Sequence, residues 1–140
     1  MARDSDAEMT ARDVVTPPRQ ARAAFTYVEL TARILKVLRD RALLSQTELA
    51  EAVGVSQGTV SRYEGGFTAI TVETLATVCG RLGTSPGRVL AVADAVAGAA
   101  RERGIAVLMG DEPPAAPGIF MVRASVNVID DLVRDQFLRR

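Results

Sequence analysis

The sequence predicts an all-α domain of five helices followed by a small strand/helix appendage, and three observations predict it. Serine or threonine stands at Ser45, Ser56, Thr71 and Ser85, each directly before a run of helix formers. Glycine stands just past three of those runs, at Gly54, Gly65-Gly66 and Gly83. Between caps and glycines the apolar residues recur at intervals of three and four, the period of one helix face.

Residues 1–23 are charged, contain Pro17-Pro18 and have no sustained period, so a flexible tail is expected. Its arginines, Arg3, Arg12, Arg19 and Arg22, are offset by Asp4, Asp6, Glu8 and Asp13, which favours a plain tail over a basic binding arm. Residues 24–104 hold the helical domain. Its first helix is expected from about Phe25 to Arg41, with Leu30, Ile34 and Leu38 on one face. Ser45-Gln46-Thr47-Glu48 reads as a capping box and opens a second helix, which carries Leu49, Ala50 and Val53 and stops at Gly54. Only Val55 separates Gly54 from Ser56, the cap of a third helix. That helix is mostly polar and ends at Gly65-Gly66, so its neighbours must hold it in place. Thr71 caps a fourth helix with Leu75, Val78, Cys79 and Leu82 inward. Ser85-Pro86 opens a fifth, whose stripe of Val89, Val92, Ala93, Val96, Ala97 and Ala100 carries it to about Arg103.

Residues 105–140 form the appendage. Strands are expected at 105–109 and 119–122 on either side of the linker 111–118, then a last helix capped by Asn127. Ile129, Leu132, Val133 and Phe137 make its apolar face, Asp130 and Asp131 suit its positive end, and Arg139 and Arg140 suit its negative end. A segment this short holds no core of its own, so it packs on the first domain or on a second subunit. Dimerisation is the favoured expectation, with this region and the long fifth helix setting the polar third helices of the two copies about 34 Å apart.

Composition narrows the chemistry. The chain has 140 residues, 48% of them hydrophobic, which is ample for one core. It has no histidine and a single cysteine, Cys79, so an internal disulfide and a structural zinc site are excluded and the commonest general base is missing. No nucleophile and base pair, phosphate loop or ligand cluster stands out, so no catalytic residue, metal or cofactor is expected and the protein is read as no enzyme. Cys79 reads as core rather than as a redox or soft-metal sensor, and Met109 and Met121 read as fillers of apolar contacts rather than as ligands. No run of apolar residues is long enough to span a membrane, and the first twenty-five residues lack a signal segment, so a cytoplasmic location is expected. The net charge is zero. Between Thr31 and Leu90 there are seven basic and five acidic residues, too small an excess to argue for DNA by itself.

The case for DNA lies in motif geometry. Two short helices joined by a tight glycine turn are a helix-turn-helix, in which the first helix braces the polar face of the second against the major groove. Leu38-Arg39, Leu44-Ser45-Gln46, Glu48-Leu49-Ala50, Gly54-Val55-Ser56, Ser61-Arg62, Glu64 and Thr74-Leu75 occur in fixed order. With these, residues 28–92 resemble the Cro/CI, or XRE-type, family of lambda-repressor-like regulators. The resemblance implies a five-helix lambda-repressor-like DNA-binding domain in a transcriptional regulator, most often a repressor, that binds a pseudo-palindromic operator as a homodimer and has no catalytic activity.

The same resemblance implies roles for individual residues. Gln46 is matched to a residue that bonds a DNA phosphate, and Gln57, Thr59, Ser61 and Arg62 to positions that face bases or backbone, with Ser56 and Gly58 completing the contact set. The side-chain chemistry agrees, since glutamine can bond adenine bidentately, a threonine methyl can pack on thymine, and arginine can bond guanine or a phosphate. Gly58 departs from the larger residue usual there, which lets the backbone approach the groove but removes one reader of sequence. Arg39 and Glu64 are matched to a structural salt bridge between the first helix and the end of the recognition helix. The loop from Gly65 to Ile70 lacks the basic residue and proline of many relatives, which leaves the amides of Gly66 and Phe67 as phosphate donors or as part of a plain turn. Two alternatives stay open beside the regulator: an antitoxin-like protein-interaction module with autoregulatory DNA binding, and a regulator gated by an effector or metal through the C-terminal segment.

Overall fold

A hydroxyl side chain decides where most of the helices begin. Thr26, Ser45, Ser56, Thr71 and Ser85 each accept a hydrogen bond from the backbone amide three residues on. Each thereby satisfies one of the amides that a helix start leaves without an internal partner. The computed structural model describes residues 23–109 and 122–138. In chain order these are β1 (Ala23–Thr26), α1 (Tyr27–Arg41), α2 (Gln46–Val53), α3 (Gln57–Glu64), α4 (Val72–Arg81), α5 (Pro86–Glu102), β2 (Ile105–Leu108), β3 (Val122–Arg123) and α6 (Val126–Leu138). The fold is the expected helical domain with a strand/helix addition. The tail at 1–22, residues 110–121 with the whole linker, and Arg139-Arg140 lie outside the described residues.

The first helix starts later than its apolar spacing suggests. Thr26 and Glu29 form a capping box, with the Thr26 amide donating to Glu29 Oε1 at 2.8 Å and the Glu29 amide donating to Thr26 Oγ1 at 3.1 Å. The chain therefore turns helical at Tyr27, and Phe25 belongs to a strand. That strand is the centre of a three-stranded parallel sheet ordered β2-β1-β3. Ala23 to Thr26 pair in register with Ile105 to Leu108 on one side, and Ala23 and Ala24 pair with Val122 and Arg123 on the other. The strand that precedes the helical domain thus joins the two that follow it.

One core serves the whole described chain. Phe25, Leu30, Ile34, Cys79, Val89 and Val96 belong to the same buried cluster as Ile129, Leu132 and Val133 from α6. The small side chains along α5, Ala93, Ala97 and Ala100, are fully buried and let α5 pack closely against both α1 and α6. Of the two places open to the apolar face of the last helix, the structure uses the first domain, so a second subunit is not needed to cover it. Arg41 lies over the Phe137 ring at 5.2 Å and adds a further tie between α1 and α6. The last helix begins at Val126, two residues earlier than a cap at Asn127 would set it, and Asn127 is not its cap. Ser125 takes that role, its Oγ accepting from the Asn127 amide at 3.2 Å and its carbonyl from the Ile129 amide at 3.2 Å. Among the described residues no helix is long and apolar enough to cross a membrane.

Because α6 completes the common core, Leu132→Ala should destabilise the entire domain by about 2–5 kcal/mol, as an equivalent truncation in α1 would. Chemical denaturation followed at α1 and at α6 should show one shared transition; an unchanged midpoint for α1–α5 would mean that α6 is an independent attachment.

Candidate nucleic-acid interface

The turn between α2 and α3 is built on Gly54. Its φ of 81° lies in the left-handed region that a side chain disfavours, and its amide and that of Val55 both donate to the Ala50 carbonyl at 2.9 and 3.0 Å. The chain reverses within Gly54, Val55 and Ser56 and enters α3 at once. Only Val60 and Glu64 of the eight residues in α3 are buried. Gln57, Gly58, Ser61 and Arg62 are exposed, and Thr59 and Tyr63 are half-buried. A helix with so little apolar surface is held by its polar contacts.

Those contacts form a connected chain. Arg39 in α1 donates from Nε to Glu64 Oε2 at 2.6 Å and from Nη2 to Glu64 Oε1 at 2.9 Å, while its Nη1 reaches the Leu44 carbonyl at 2.7 Å. Both side chains are buried, 9% and 4% exposed, so the pair sits where water screens it little. The hydrogen bond to Glu64 pushes the Arg39 pKa further up, so the guanidinium stays charged. Glu64 Oε1 also accepts from Gln46 Nε2 at 3.0 Å, and Gln46 Oε1 accepts from Gln57 Nε2 at 2.7 Å. Arg39, Glu64, Gln46 and Gln57 are thus one network that runs from the buried face of α1 to the exposed start of α3. A primary amide carries two N–H donors, so Gln46 and Gln57 each keep one for a phosphate or a base.

The remaining predicted residues divide by what their polar groups already do. Ser56 Oγ accepts from the Thr59 amide at 3.1 Å and lies 2.9 Å from Thr59 Oγ1, so the two hydroxyls cap α3 together. Ser61 and Arg62 project from the exposed face. Space around Gly58 is open, since a Cβ there would meet nothing closer than Ser56 Oγ at 3.8 Å. Packing does not impose glycine at that point, and it weakens α3 by about 0.5–1 kcal/mol relative to alanine. The amides of Gly66 and Phe67 are not free for phosphate. They donate to the Tyr63 and Arg62 carbonyls at 3.1 and 3.0 Å and so terminate α3. Gly66 has a φ of 74°, and a Cβ there would lie 3.2 Å from Glu29 Cγ, so both backbone and space call for glycine.

Sequence reasoning missed one pair. Arg33 reads as a solvated charge of the first helix and Asp130 as a complement to the positive end of the last, yet they meet as a fork. Nε lies 2.7 Å from Oδ1 and Nη2 lies 2.8 Å from Oδ2. They are 97 residues apart, and no local spacing announces such a contact. Cys79 is fully buried, and burial pushes its thiol pKa up, which favours the protonated core residue over a reactive thiolate.

A groove of about 390 Å³ lies elsewhere, with Val28, Leu35, Ile70, Val72, Leu90 and Met109 among its lining residues and none of residues 56–62. Val28, Val72, Leu90 and Met109 are exposed there. At its edge Tyr27 donates to Asp94 Oδ1 at 2.5 Å; burial, aided by that carboxylate, pushes the tyrosine pKa up to about 12.

A braced polar helix after a three-residue turn defines a helix-turn-helix DNA-binding domain. The helix-turn-helix family profile matches residues 35–89. The clp gene regulator ClgR from Corynebacterium glutamicum is 35% identical, with 55% of this chain covering 84% of that one at a TM-score of 0.50. An HTH-type transcriptional regulatory protein of Methanocorpusculum labreanum is 48% identical over 41 residues, which are 29% of this chain and only 13% of that protein's length. Hydroxypropylphosphonic acid epoxidase from S. wedmorenis is 27% identical over 50% of this chain and 35% of that one, and its TM-score of 0.42 is too low to bear on activity. The chain belongs to the Cro/CI-type helix-turn-helix family, and the matched segment contains α2, α3 and the whole of the network described above.

Glu64→Ala should remove the buried partner of Arg39 and leave it only the exposed Asp40 at 3.2 Å, lowering stability by about 3 kcal/mol, measurable by denaturant titration. An unchanged midpoint together with lost base preference would contradict a structural role for Arg39 and Glu64.

Proposed function

We propose that this protein is a sequence-specific transcriptional regulator, a repressor that binds a pseudo-palindromic operator as a homodimer, with α3 in the major groove. The observation that carries the reading is the α3 face itself. Gln57, Ser61 and Arg62 are exposed on a helix whose start is braced by Gln46 and whose end is tied into the core through Glu64. Gln57 and Arg62 supply the donors that read adenine and guanine edges, and the Thr59 methyl and Gly58 backbone meet the groove beside them. Gln46 and the first turn of α3 meet phosphate, which fixes register and carries no sequence information of its own.

Two copies follow from the size of that face. A helix of two turns reaches only a few base pairs, and a regulator gains selectivity by placing two such helices on half-sites one helical turn apart. The groove bordered by Val28, Val72, Leu90 and Met109 supports the same reading, because it offers exposed apolar side chains that a second copy would bury. The second copy is proposed to cover it. Leu90→Glu should then convert a dimer to a monomer in light scattering while leaving the helical content intact; a wild-type protein that is monomeric at the same concentration would contradict the homodimer.

The DNA reading is tested by titrating the protein with a duplex that it selects from a randomised pool and with a scrambled duplex, at two salt concentrations. The selected duplex should bind about a thousandfold more tightly or better, and Gln57→Ala should erase most of that ratio while binding to the scrambled duplex persists. Equal and steeply salt-dependent binding to both would mean contact with phosphate alone.

A further inference from the structure

A helix leaves its last four carbonyls without partners in its own ladder. In α3 three of them find backbone amides: Ser61 accepts from Gly65 at 2.9 Å, Arg62 from Phe67 at 3.0 Å and Tyr63 from Gly66 at 3.1 Å. The fourth, the Glu64 carbonyl, accepts from Arg33 Nη1 at 3.4 Å. Arg33 is itself held by the two-bond fork on Asp130, which uses Nε and Nη2 and leaves Nη1 aimed at α3. Asp130 is only 7% exposed and stands between Ile129 and Leu132, both in the core, so the carboxylate is fixed by the docking of α6.

Glu64 is therefore anchored twice. Its carboxylate is held by Arg39 and in turn holds Gln46, which holds Gln57; its carbonyl is held by Arg33, and so by α6. With Val60 as the other buried residue of α3, these polar anchors set the tilt of the helix rather than merely adding to its burial. Base readout tolerates displacements of about half an ångström, so a small shift at the end of α3 reaches the bases through Gln57. Arg33 and Asp130 both lie outside the segment, residues 35–89, that matches the family profile.

We propose that Asp130 is a positioning residue for the recognition helix: through Arg33 it fixes the last turn of α3, and the C-terminal helix thereby sets base preference without touching DNA. The proposal rests on the DNA-binding reading above. Asp130→Ala should weaken binding to the duplex selected by the wild-type protein about tenfold and leave binding to scrambled DNA unchanged, at a temperature where circular dichroism shows both proteins folded. Asp130→Glu should restore part of the ratio. Arg33→Lys keeps a charge for Asp130, but its single ammonium lacks the planar fork that reaches Asp130 and the Glu64 carbonyl together, so it should lose the ratio too, and it decides the matter if Asp130→Ala does not fold. A wild-type ratio in a folded Asp130→Ala or Arg33→Lys protein, even one with a lower melting temperature, would overturn the proposal. Amide hydrogen exchange in the free protein separates this from a failure of the DNA reading. Faster exchange at Gly65, Gly66 and Phe67 in the variants supports the brace whether or not the wild type prefers any duplex, and unchanged exchange there overturns it.

Discussion

The buried fork between Arg39 and Glu64 is the contact on which the arrangement depends. Two charges removed from water gain little net stability over an apolar pair of the same size, because desolvation offsets most of their attraction. What the fork supplies is direction. Two parallel N–H···O bonds of 2.6 and 2.9 Å fix both the distance and the rotation of α3 against α1, which one buried valine would not do. The same carboxylate then orients Gln46, and Gln46 orients Gln57. A polar helix with little apolar surface is thereby held rigid enough to present side chains to a partner.

The second constraint is closure of the core by segments distant in the chain. α1 has to be buried on several sides, and α2 to α5 leave one of them open to α6. β1, placed just before α1, pairs with strands that follow α5, so the start and the end of the described chain meet in one sheet beside that helix. Such long-range pairing is slow to form compared with local helical contacts. It gives α6 a fixed position from which Asp130 holds Arg33, and Arg33 in turn reaches the Glu64 carbonyl at the end of α3.

The local devices were legible in the sequence because their cause is local. A hydroxyl three residues before an available amide, a glycine where φ turns positive and a proline at a first helical position each act within a few residues, so Ser45, Ser56, Thr71, Ser85 and Gly54 mark the helices directly. Thr26 and Glu29 carry the same signal, but the apolar spacing around Phe25 masked it. A four-residue strand with one large apolar side chain looks like the first turn of the amphipathic helix it precedes. Asn127 was a credible cap, and Ser125 won because the chain leaving the sheet at Ala124 already places its hydroxyl over the first turn. Of the two uses open to the Gly66 and Phe67 amides, phosphate contact or a plain turn, the structure has the turn: both donate to carbonyls of α3, which depends on how the helix ends. Arg33 and Asp130 had no local signature, since their pairing exists only once α6 has docked on α1. The candidate site is readable where one helix makes it and unreadable where contacts between distant helices brace it.

Nuclear magnetic resonance of the uniformly labelled protein during titration with its selected duplex is the most direct test of where DNA is read. The recognition-helix reading predicts that the largest shifts fall on the amides of residues 56–62 and on the side-chain amides of Gln46 and Gln57, with the groove around Leu90 unchanged. Large shifts confined to the groove or to α6, with α3 silent, would contradict it.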